Sequence, residues 1–329
     1  MQFFCFPGAA PGFVFRLSLA VLAGLLVSCG GKTGAPGRAG DLPVLVVSIL
    51  PQSYFASRIA GEGAEARARI MTLVGPGQNP HSYEPTPRQM ADLAAAKAWV
   101  LSGTEFEIGL RPKVEALFPR LPLIDGTAGV RFRTLTAGEA DRDGDAHDDG
   151  DRDDDGDARD DTHGDGIDRH TWLGHKPARL MAGHILAALY NIDSSGEAFY
   201  RKNYQELIAD MDREFGELRG ELSSLRGKVV FVYHPAFGYF LDEFGIIQEA
   251  VEIDGKEPSP RALNLLIERA RRERPAAIFV QAQFPVNTAK TAADAVGAVL
   301  APLDPLAPDW LANIRRMGAI LRENAGGSH

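Results

Sequence analysis

Seven short apolar runs, each about as long as a β-strand, constrain the fold of this chain more than any other feature. They do not alternate with polar residues, and amphipathic helical stretches separate most of them. Such strands are typical of parallel sheets that helices cover on both faces. The runs form two groups, before residue 125 and after residue 227, which predicts two α/β lobes. They are VLVVSIL, which follows Pro43, and residues 68–73, 98–101, 229–233, 246–251, 277–281 and 298–302.

A long amphipathic segment separates the two groups. Between residues 197 and 225, apolar side chains recur at steps of three and four, which predicts a helix of about eight turns with one apolar stripe. Gly227 marks its end. A coiled-coil arm is the alternative, but the α/β segments on both sides favour a helix that joins the lobes and packs along both. The stripe comprises Tyr200, Tyr204, Leu207, Ile208, Met211, Phe215, Leu218, Leu222 and Leu225.

The N-terminus has the pattern of an export signal. Residues 17–27, LSLAVLAGLLV, are too few to span a bilayer as a helix but suit the core of a signal peptide. The run ends in Leu26-Val27-Ser28-Cys29, which resembles a bacterial lipobox and predicts a lipid anchor on Cys29. A buried helix with an incidental cysteine is the alternative. Cys5 is the only other cysteine, so the mature domain is predicted to contain no disulfide.

The negative charge of the chain is concentrated in one segment. The formal net charge is −9, but residues 139–168 hold fourteen Asp and one Glu against three Arg. The segment contains almost no apolar side chains and cannot form a core, which predicts a mobile acidic loop. Residues 151–156 copy the start of an EF-hand loop, but Thr162 stands where the last acidic ligand is needed. No basic stripe is present, which argues against a nucleic-acid partner.

Three histidines occupy separate loop contexts: His81 in NPHSYEP, His170 in DRHTW and His234 in YHPAFGYF. A single histidine is more often a hydrogen-bonded structural residue, but His234 follows a predicted strand at the end where α/β folds bind ligands. Asp304 follows the last predicted strand in the same way. Three imidazoles and one carboxylate suit Zn²⁺, with Mn²⁺ possible. By contrast, His175 and His184 are predicted to be surface or packing residues.

The chain resembles the periplasmic zinc/manganese solute-binding proteins of ABC transporters, the ZnuA/TroA-like family. The resemblance implies that His81, His170, His234 and Asp304 bind the metal, and histidine at the third position favours zinc. Arg169 replaces a common proline, and the acidic segment is poor in histidine where zinc-type members often carry a His- and Asp-rich loop. The matching pieces are SILPQSYFASRIAG, GPGQNPHSYEPTPRQMADL, SGTEFE, HTWL, YHPAFGYF, VEIDGKEPSP, IFVQAQF and DPLAPDW.

The resemblance implies two α/β lobes, each with a mostly parallel sheet flanked by helices, joined by one rigid helix, with the metal in the cleft between them. The implied function is capture of Zn²⁺ outside the cytoplasmic membrane and delivery to an ABC-transporter permease, by a lipid-anchored monomer that is not an enzyme. A manganese-binding protein and a surface adhesin are alternatives. A zinc hydrolase, a more remote one, would need a positioned general base.

The sequence also predicts the boundaries of these parts. They are a signal peptide at 1–28, a tether at 29–42, an N-terminal lobe at 43–137, the acidic loop at 138–168, a helical segment at 169–196, the linking helix at 197–226 and a C-terminal lobe at 227–329.

Overall fold

Two parallel sheets of four strands each organise the fold, and they belong to one compact unit. The computed structural model describes residues 42–135, 166–250, 260–273, 275, 277–281 and 286–325. The predicted signal peptide, Cys29 and almost all of the predicted acidic loop, with its EF-hand-like stretch, lie outside these residues. The strands are β1 (Val44–Val47), β2 (Arg69–Thr72), β3 (Ala98–Leu101), β4 (Leu123–Asp125), β5 (Arg133–Thr134), β6 (Ile167–Asp168), β7 (Val229–Val232), β8 (Ile247–Ala250), β9 (Ala277–Val280) and β10 (Val299–Pro302).

The two large sheets repeat one topology. The first has the order β2-β1-β3-β4 and the second β8-β7-β9-β10, so each places its first strand second from one edge. All pairings within them are parallel. In such sheets, ligands bind beyond the carboxyl ends of the strands, where the strand order reverses. The fold class predicted from the unalternated apolar runs is confirmed.

The helices lie between the strands in chain order. They are α1 (Leu50–Ala60), α2 (Pro87–Ala95), α3 (Glu105–Leu117), α4 (His175–Ile192), α5 (Glu197–Glu221), α6 (Gly238–Asp242), α7 (Pro260–Glu273), α8 (Val286–Val296) and α9 (Trp310–Ala325). The predicted helical segment at 169–196 is not one continuous helix: it contains a 3-10 turn at Thr171–Leu173 and then α4. Gly174, which is extended with a ψ of 144°, separates the two.

Helix α5 is the predicted linking helix, and it contacts helices from both ends of the chain. It packs against α1, α4 and α9 along its apolar stripe. Asp210 binds Arg58 of α1 at 2.7 Å, and Glu214 and Glu221 pair with arginines of α9. A helix held by apolar contacts and ion pairs on several sides is expected to act as a rigid connector.

Three buried tryptophans connect the core to the region between the sheets. The indole N–H of Trp172 donates to the Pro305 carbonyl at 2.7 Å, and that of Trp310 donates to the Trp172 carbonyl at 2.8 Å. Trp99 donates in the same way to Ser48 at 3.0 Å. The two bonds that involve Trp172 tie the segment after β6 to the segment after β10. Among the described residues, no helix combines the length and apolarity that crossing a bilayer requires.

Candidate metal centre

The three predicted histidines come together between the two sheets. Nε2 of His234 lies 3.1 Å from Nε2 of His81 and 3.2 Å from Nε2 of His170. Their ligand atoms all lie within 4.8 Å of one another, and within the described part of the chain this is the only group of three or more potential metal ligands. The rings meet at steep angles, with centroids 4.8 to 5.7 Å apart. Three side chains from separate loops therefore direct the same kind of nitrogen to one point.

His81 lies in the loop between β2 and α2, which is fastened at both ends. The side-chain oxygen of Asn79 accepts a hydrogen bond from the His81 backbone N–H at 3.0 Å, which closes a tight turn. Tyr83 is buried and donates its hydroxyl to the Leu73 carbonyl at 2.6 Å. The ring itself contacts the start of α3, where Oε2 of Glu105 lies 3.1 Å from Nδ1. The loop is thus held at its backbone and at the histidine ring.

His170 follows the short antiparallel pair β5–β6 and is held by a buried carboxylate. Oδ1 of Asp168 accepts from the His170 backbone N–H at 3.0 Å and lies 2.9 Å from Nδ1 of the ring. The Asp168 side chain is 0% exposed, and Arg133 pairs with its other oxygen at 3.5 Å. The Tyr239 hydroxyl donates to the Asp168 carbonyl at 3.0 Å. A Cβ on Gly238 would lie 2.5 Å from the Arg133 guanidinium, so a larger residue there would require that guanidinium to shift.

His234 is the most deeply placed of the three and follows β7. The residue is 4% exposed. The Gln281 side chain brackets its backbone, donating to the His234 carbonyl at 3.0 Å and accepting from its N–H at 3.4 Å. The same carbonyl accepts from Ala236 N at 2.8 Å, which turns the chain directly after the strand. The end of a parallel strand therefore delivers this imidazole to the cleft, as the sequence predicted.

The electrostatic setting of the group disfavours the protonated form of His234. Burial lowers the pKa of His234 well below its ordinary value, and the nearby charges of His81 and His170 lower it further. At Glu105, burial raises the pKa, but the hydrogen bond and charge of His81 and the charge of His170 outweigh it and bring the pKa to about 2. Neutral imidazole is the form that binds metals, so a buried ring with a lowered pKa is ready to act as a ligand.

The spacing of the nitrogens fits a small tetrahedral ion. Zn²⁺ binds imidazole nitrogens at about 2.0–2.1 Å, which places two ligands of a tetrahedron about 3.3–3.4 Å apart. The two Nε2 separations of 3.1 and 3.2 Å are close to that value. The cavity beside the rings has a volume of about 10 Å³, the room for one ion or water. Its walls are Asn79, Pro80, His81, His170, Trp172, His234, Pro305 and Leu306.

The structure does not bring Asp304, the fourth predicted ligand, into this group. Oδ1 of Asp304 accepts from Leu306 N at 2.9 Å, so the carboxylate closes the turn after β10. Asp304 lines a different cavity, next to Asn313 and Met317 of α9. His175 and His184, which were predicted to lie outside the site, bond to Asp212 and to the Ala128 carbonyl.

Sequence reasoning missed Glu105 and Asp168, the two carboxylates that contact the rings of predicted ligands. A weak signal for Asp168 is its place two residues before His170, from which an aspartate often bonds to a following N–H. Glu105 lies in the first turn of α3, where acidic residues are common for reasons of helix stability alone. Only the fold reveals that its carboxylate faces His81.

Comparisons with known proteins point to one group. The family model described as ZnuA, zinc-uptake complex component A, periplasmic, matches residues 45–324. The zinc-binding lipoprotein AdcA of Streptococcus pneumoniae strain R6 is 26% identical over 300 residues, which are 88% of this chain and 55% of AdcA, so the chain spans about half of that relative. The high-affinity zinc uptake system protein ZnuA of Bacillus subtilis strain 168 is 27% identical over 291 residues, 86% of this chain and 85% of that protein.

A solved structure agrees with the sequence comparisons. It is a deletion mutant of ZnuA with zinc bound, and it superposes on this chain with a TM-score of 0.74 at 28% identity. The match covers 88% of this chain and 100% of that structure. Its two-sheet architecture is therefore the one described above.

Proposed function

The chain belongs to the ZnuA family of periplasmic zinc-uptake components, and from that premise we propose that it captures Zn²⁺ outside the cytoplasmic membrane and delivers it to an ABC-transporter permease. The observation that supports this most directly is the convergence of three Nε2 atoms, two pairs of which lie 3.1 and 3.2 Å apart. We take His81, His170 and His234 as the metal ligands.

Zinc is the proposed cargo, with manganese as the alternative. Imidazole nitrogens suit Zn²⁺, whereas Mn²⁺ favours carboxylate, carbonyl and water oxygens. The group contains three imidazoles, and the carboxylate of Asp304 is engaged with Leu306 N. A set of three nitrogens without a carboxylate ligand therefore supports zinc.

Binding without catalysis is the proposed mode of action. A zinc hydrolase needs a general base beside the metal-bound water. The two carboxylates nearest the histidines, Glu105 and Asp168, are engaged with ring Nδ1 atoms rather than directed to the point where the Nε2 atoms meet. This arrangement supports a binding site whose carboxylates hold the ligands in place.

Metal analysis tests the cargo. The protein is purified without an affinity tag or chelator, its bound metal is measured, and Zn²⁺ and Mn²⁺ then compete against a chromophoric chelator. We expect one tightly bound Zn²⁺ per chain and clearly weaker Mn²⁺ binding. Equal or tighter Mn²⁺ binding would contradict the zinc assignment.

Uptake tests delivery. Cells that lack this protein should take up radioactive zinc more slowly at low external concentration, and the wild-type chain should restore the rate. His234→Ala should not restore it, although a folded His175→Ala should. Full restoration by His234→Ala would show that the three-histidine site is not part of the delivery route.

A lipid anchor on Cys29 is the proposed attachment to the membrane. Stable anchoring needs more than one acyl chain, at about 0.8 kcal/mol per buried methylene. Cys29→Ser should therefore leave the protein soluble or unprocessed, whereas Cys5→Ser, which lies within the predicted signal peptide, should be processed normally. A processed, membrane-bound Cys29→Ser product would refute the lipobox interpretation.

A further inference from the structure

Two carboxylates contact the proposed ligand histidines from behind. Oε2 of Glu105 lies 3.1 Å from Nδ1 of His81, and Oδ1 of Asp168 lies 2.9 Å from Nδ1 of His170. In both pairs the other ring nitrogen, Nε2, faces His234. Two separate elements, the start of α3 and the strand β6, thus arrive at the same arrangement.

We propose that Glu105 and Asp168 are positioning residues that set the affinity of the site for a divalent cation, by holding two ligand rings through Nδ1 and by balancing the charge of the ion without touching it. This inference rests on the proposed function, because it concerns the same three-histidine site. Neither residue needs to enter the coordination sphere.

The first part of the role follows from the chemistry of imidazole. A neutral ring carries one proton, and a carboxylate that accepts a hydrogen bond from Nδ1 keeps the proton on that nitrogen. Nε2 then presents its lone pair to the cation. Partners of this kind also fix the ring orientation and make the ligand nitrogen more basic.

The second part of the role follows from charge. Three neutral imidazoles offer a dication no compensating charge, and a buried ion without such compensation is unfavourable. The carboxylates of Glu105 and Asp168 place negative charge beside the rings, which lowers the cost of burying a cation there, and Arg133 offsets part of that charge at Asp168.

The two carboxylates are themselves held in place. Asp168 is fully buried, and Arg133, which is paired with it, also binds Asp242 at 2.9 Å. Glu105 lies in the first turn of α3, a turn that Glu107 fastens by accepting from the N–H groups of Ser102 and Gly103 at 2.7 and 2.8 Å. Because these contacts fix the two carboxylates, the carboxylates can fix the orientation of the histidine rings that they contact.

The chain offers a matched control for this proposal. Oδ1 of Asp212 lies 2.7 Å from Nε2 of His175, so the pair has the same chemistry outside the proposed site. Asp212 is 45% exposed, so replacing it should be tolerated. Asp212→Asn therefore repeats the substitution Asp168→Asn at a histidine that binds no metal in this proposal.

The test compares Glu105→Gln, Asp168→Asn and Asp212→Asn with the wild-type protein. Amide side chains keep the shape and an acceptor oxygen but remove the charge. We expect Glu105→Gln and Asp168→Asn each to weaken Zn²⁺ binding by about ten- to a hundredfold in chelator competition. Asp212→Asn should stay within about twofold of wild type.

Cobalt spectra separate positioning from a purely structural role. Co²⁺ is bound in place of Zn²⁺, and its visible bands report the geometry of the ligands. We expect the bands to shift or weaken in the two site variants and to overlay those of wild type in Asp212→Asn. A purely structural role would lower the melting temperature of the metal-free protein but leave the spectrum and the affinity of the folded fraction unchanged.

The remaining outcomes distinguish a failure of this inference from a failure of the proposed function. Unchanged Zn²⁺ affinity in folded Glu105→Gln and Asp168→Asn, or an equal loss in Asp212→Asn, would overturn the inference while leaving the proposed function intact. A wild-type protein that takes up no Zn²⁺ would overturn the proposed function itself. If Asp168→Asn does not fold, Glu105→Gln decides alone, since its side chain is 28% exposed and tolerates change more easily.

Discussion

His170 and His175 lie in the same segment of the chain, and each pairs with an aspartate, yet only His170 joins the three-histidine group. The His170–Asp168 contact is 2.9 Å long and the His175–Asp212 contact 2.7 Å. The difference lies in which ring nitrogen is engaged. Asp168 contacts Nδ1, so Nε2 of His170 faces His234, whereas Asp212 contacts Nε2 of His175.

Burial separates the two regions as well. Asp168 is 0% exposed and Asp212 is 45% exposed, so only the first pair acts in a medium that screens charge weakly. The His175 ring stacks on the Phe215 ring, with centroids 4.7 Å apart, so one face of the imidazole is covered by this packing. A histidine–aspartate contact is therefore no sign of a metal site. Convergence of the second nitrogen with other ligands is what distinguishes the site.

Removing each histidine in turn gives the sharpest test of this comparison. His170→Ala should weaken Zn²⁺ binding by more than about a hundredfold, because it removes a ligand, and loss of a supporting partner alone costs about ten- to a hundredfold. His175→Ala should bind Zn²⁺ as tightly as wild type. Isothermal calorimetry on both variants measures this, and equal affinities would show that the two regions do not differ as described.

Metal-dependent stability should divide the two variants in the same way. Zn²⁺ at a hundred times its dissociation constant adds about 2.7 kcal/mol to the free energy of unfolding, provided that only the folded state binds it. The melting temperatures of wild type and His175→Ala should rise with Zn²⁺, and rise less with Mn²⁺. His170→Ala should show little rise with either ion. Equal shifts for the two metals would count against zinc.

Much of this fold could be predicted from local patterns. Unalternated apolar runs indicate buried parallel strands, and seven of the eight strands of the two large sheets were located to within three residues at each end. The missing strand, β4, has three residues and only partly buried apolar side chains, too little for a pattern. Helix α5 was predictable because its stripe is long.

The site was predictable only in part, for a different reason. The motif contexts of His81, His170 and His234 point to ligands, and the structure brings these three together. The contact of Glu105 with His81 joins positions far apart in the chain, and no local pattern contains it. Asp304 has the right residue type and follows a strand, but its carboxylate turns back to Leu306 N.

The pH dependence of the metal-free protein tests how far burial sets His234 apart. The lowered pKa means that the folded state binds fewer protons at His234 than the unfolded state does below about pH 6.5. The free energy of unfolding therefore has its full value with respect to His234 above pH 6.5. Below that pH it declines, by at most about 1.4 kcal/mol per pH unit, because the unfolded state takes up the proton more readily.

Denaturant titrations of wild type and His234→Gln between pH 7.5 and 5 measure this contribution. The variant lacks the titrating ring, so its free energy of unfolding should fall less steeply with decreasing pH. Parallel curves for the two proteins would mean that the proton affinity of His234 does not change on folding, and that this ring is more accessible than its 4% exposure indicates.

The smallest expected effect concerns the many carboxylates that precede Asp168 in the chain. Residues 139–168 carry a formal charge of −12. All of their carboxylates except that of Asp168 precede the described segment that begins at residue 166 and holds His170. Replacing residues 141–165 by a Gly/Ser linker should leave the tight Zn²⁺ affinity unchanged, because the three histidines and their two carboxylate partners are retained. Calorimetry should give the same stoichiometry for the tight site and lose only weak additional binding.

What the replacement should change is the rate of capture. A concentrated negative charge attracts cations and speeds encounter, and salt screens this attraction over about 30 Å at 0.01 M but about 8 Å at 0.15 M. Stopped-flow association should therefore be slower in the variant at low salt, by up to about tenfold, and converge with wild type as salt rises. A variant with residues 141–165 shuffled keeps the charge and should associate like wild type. If the Gly/Ser variant folds but loses tight Zn²⁺ binding, residues 141–165 contain a metal ligand. The carboxylates of that segment then do more than attract ions, and they cannot be separated in function from Glu105 and Asp168.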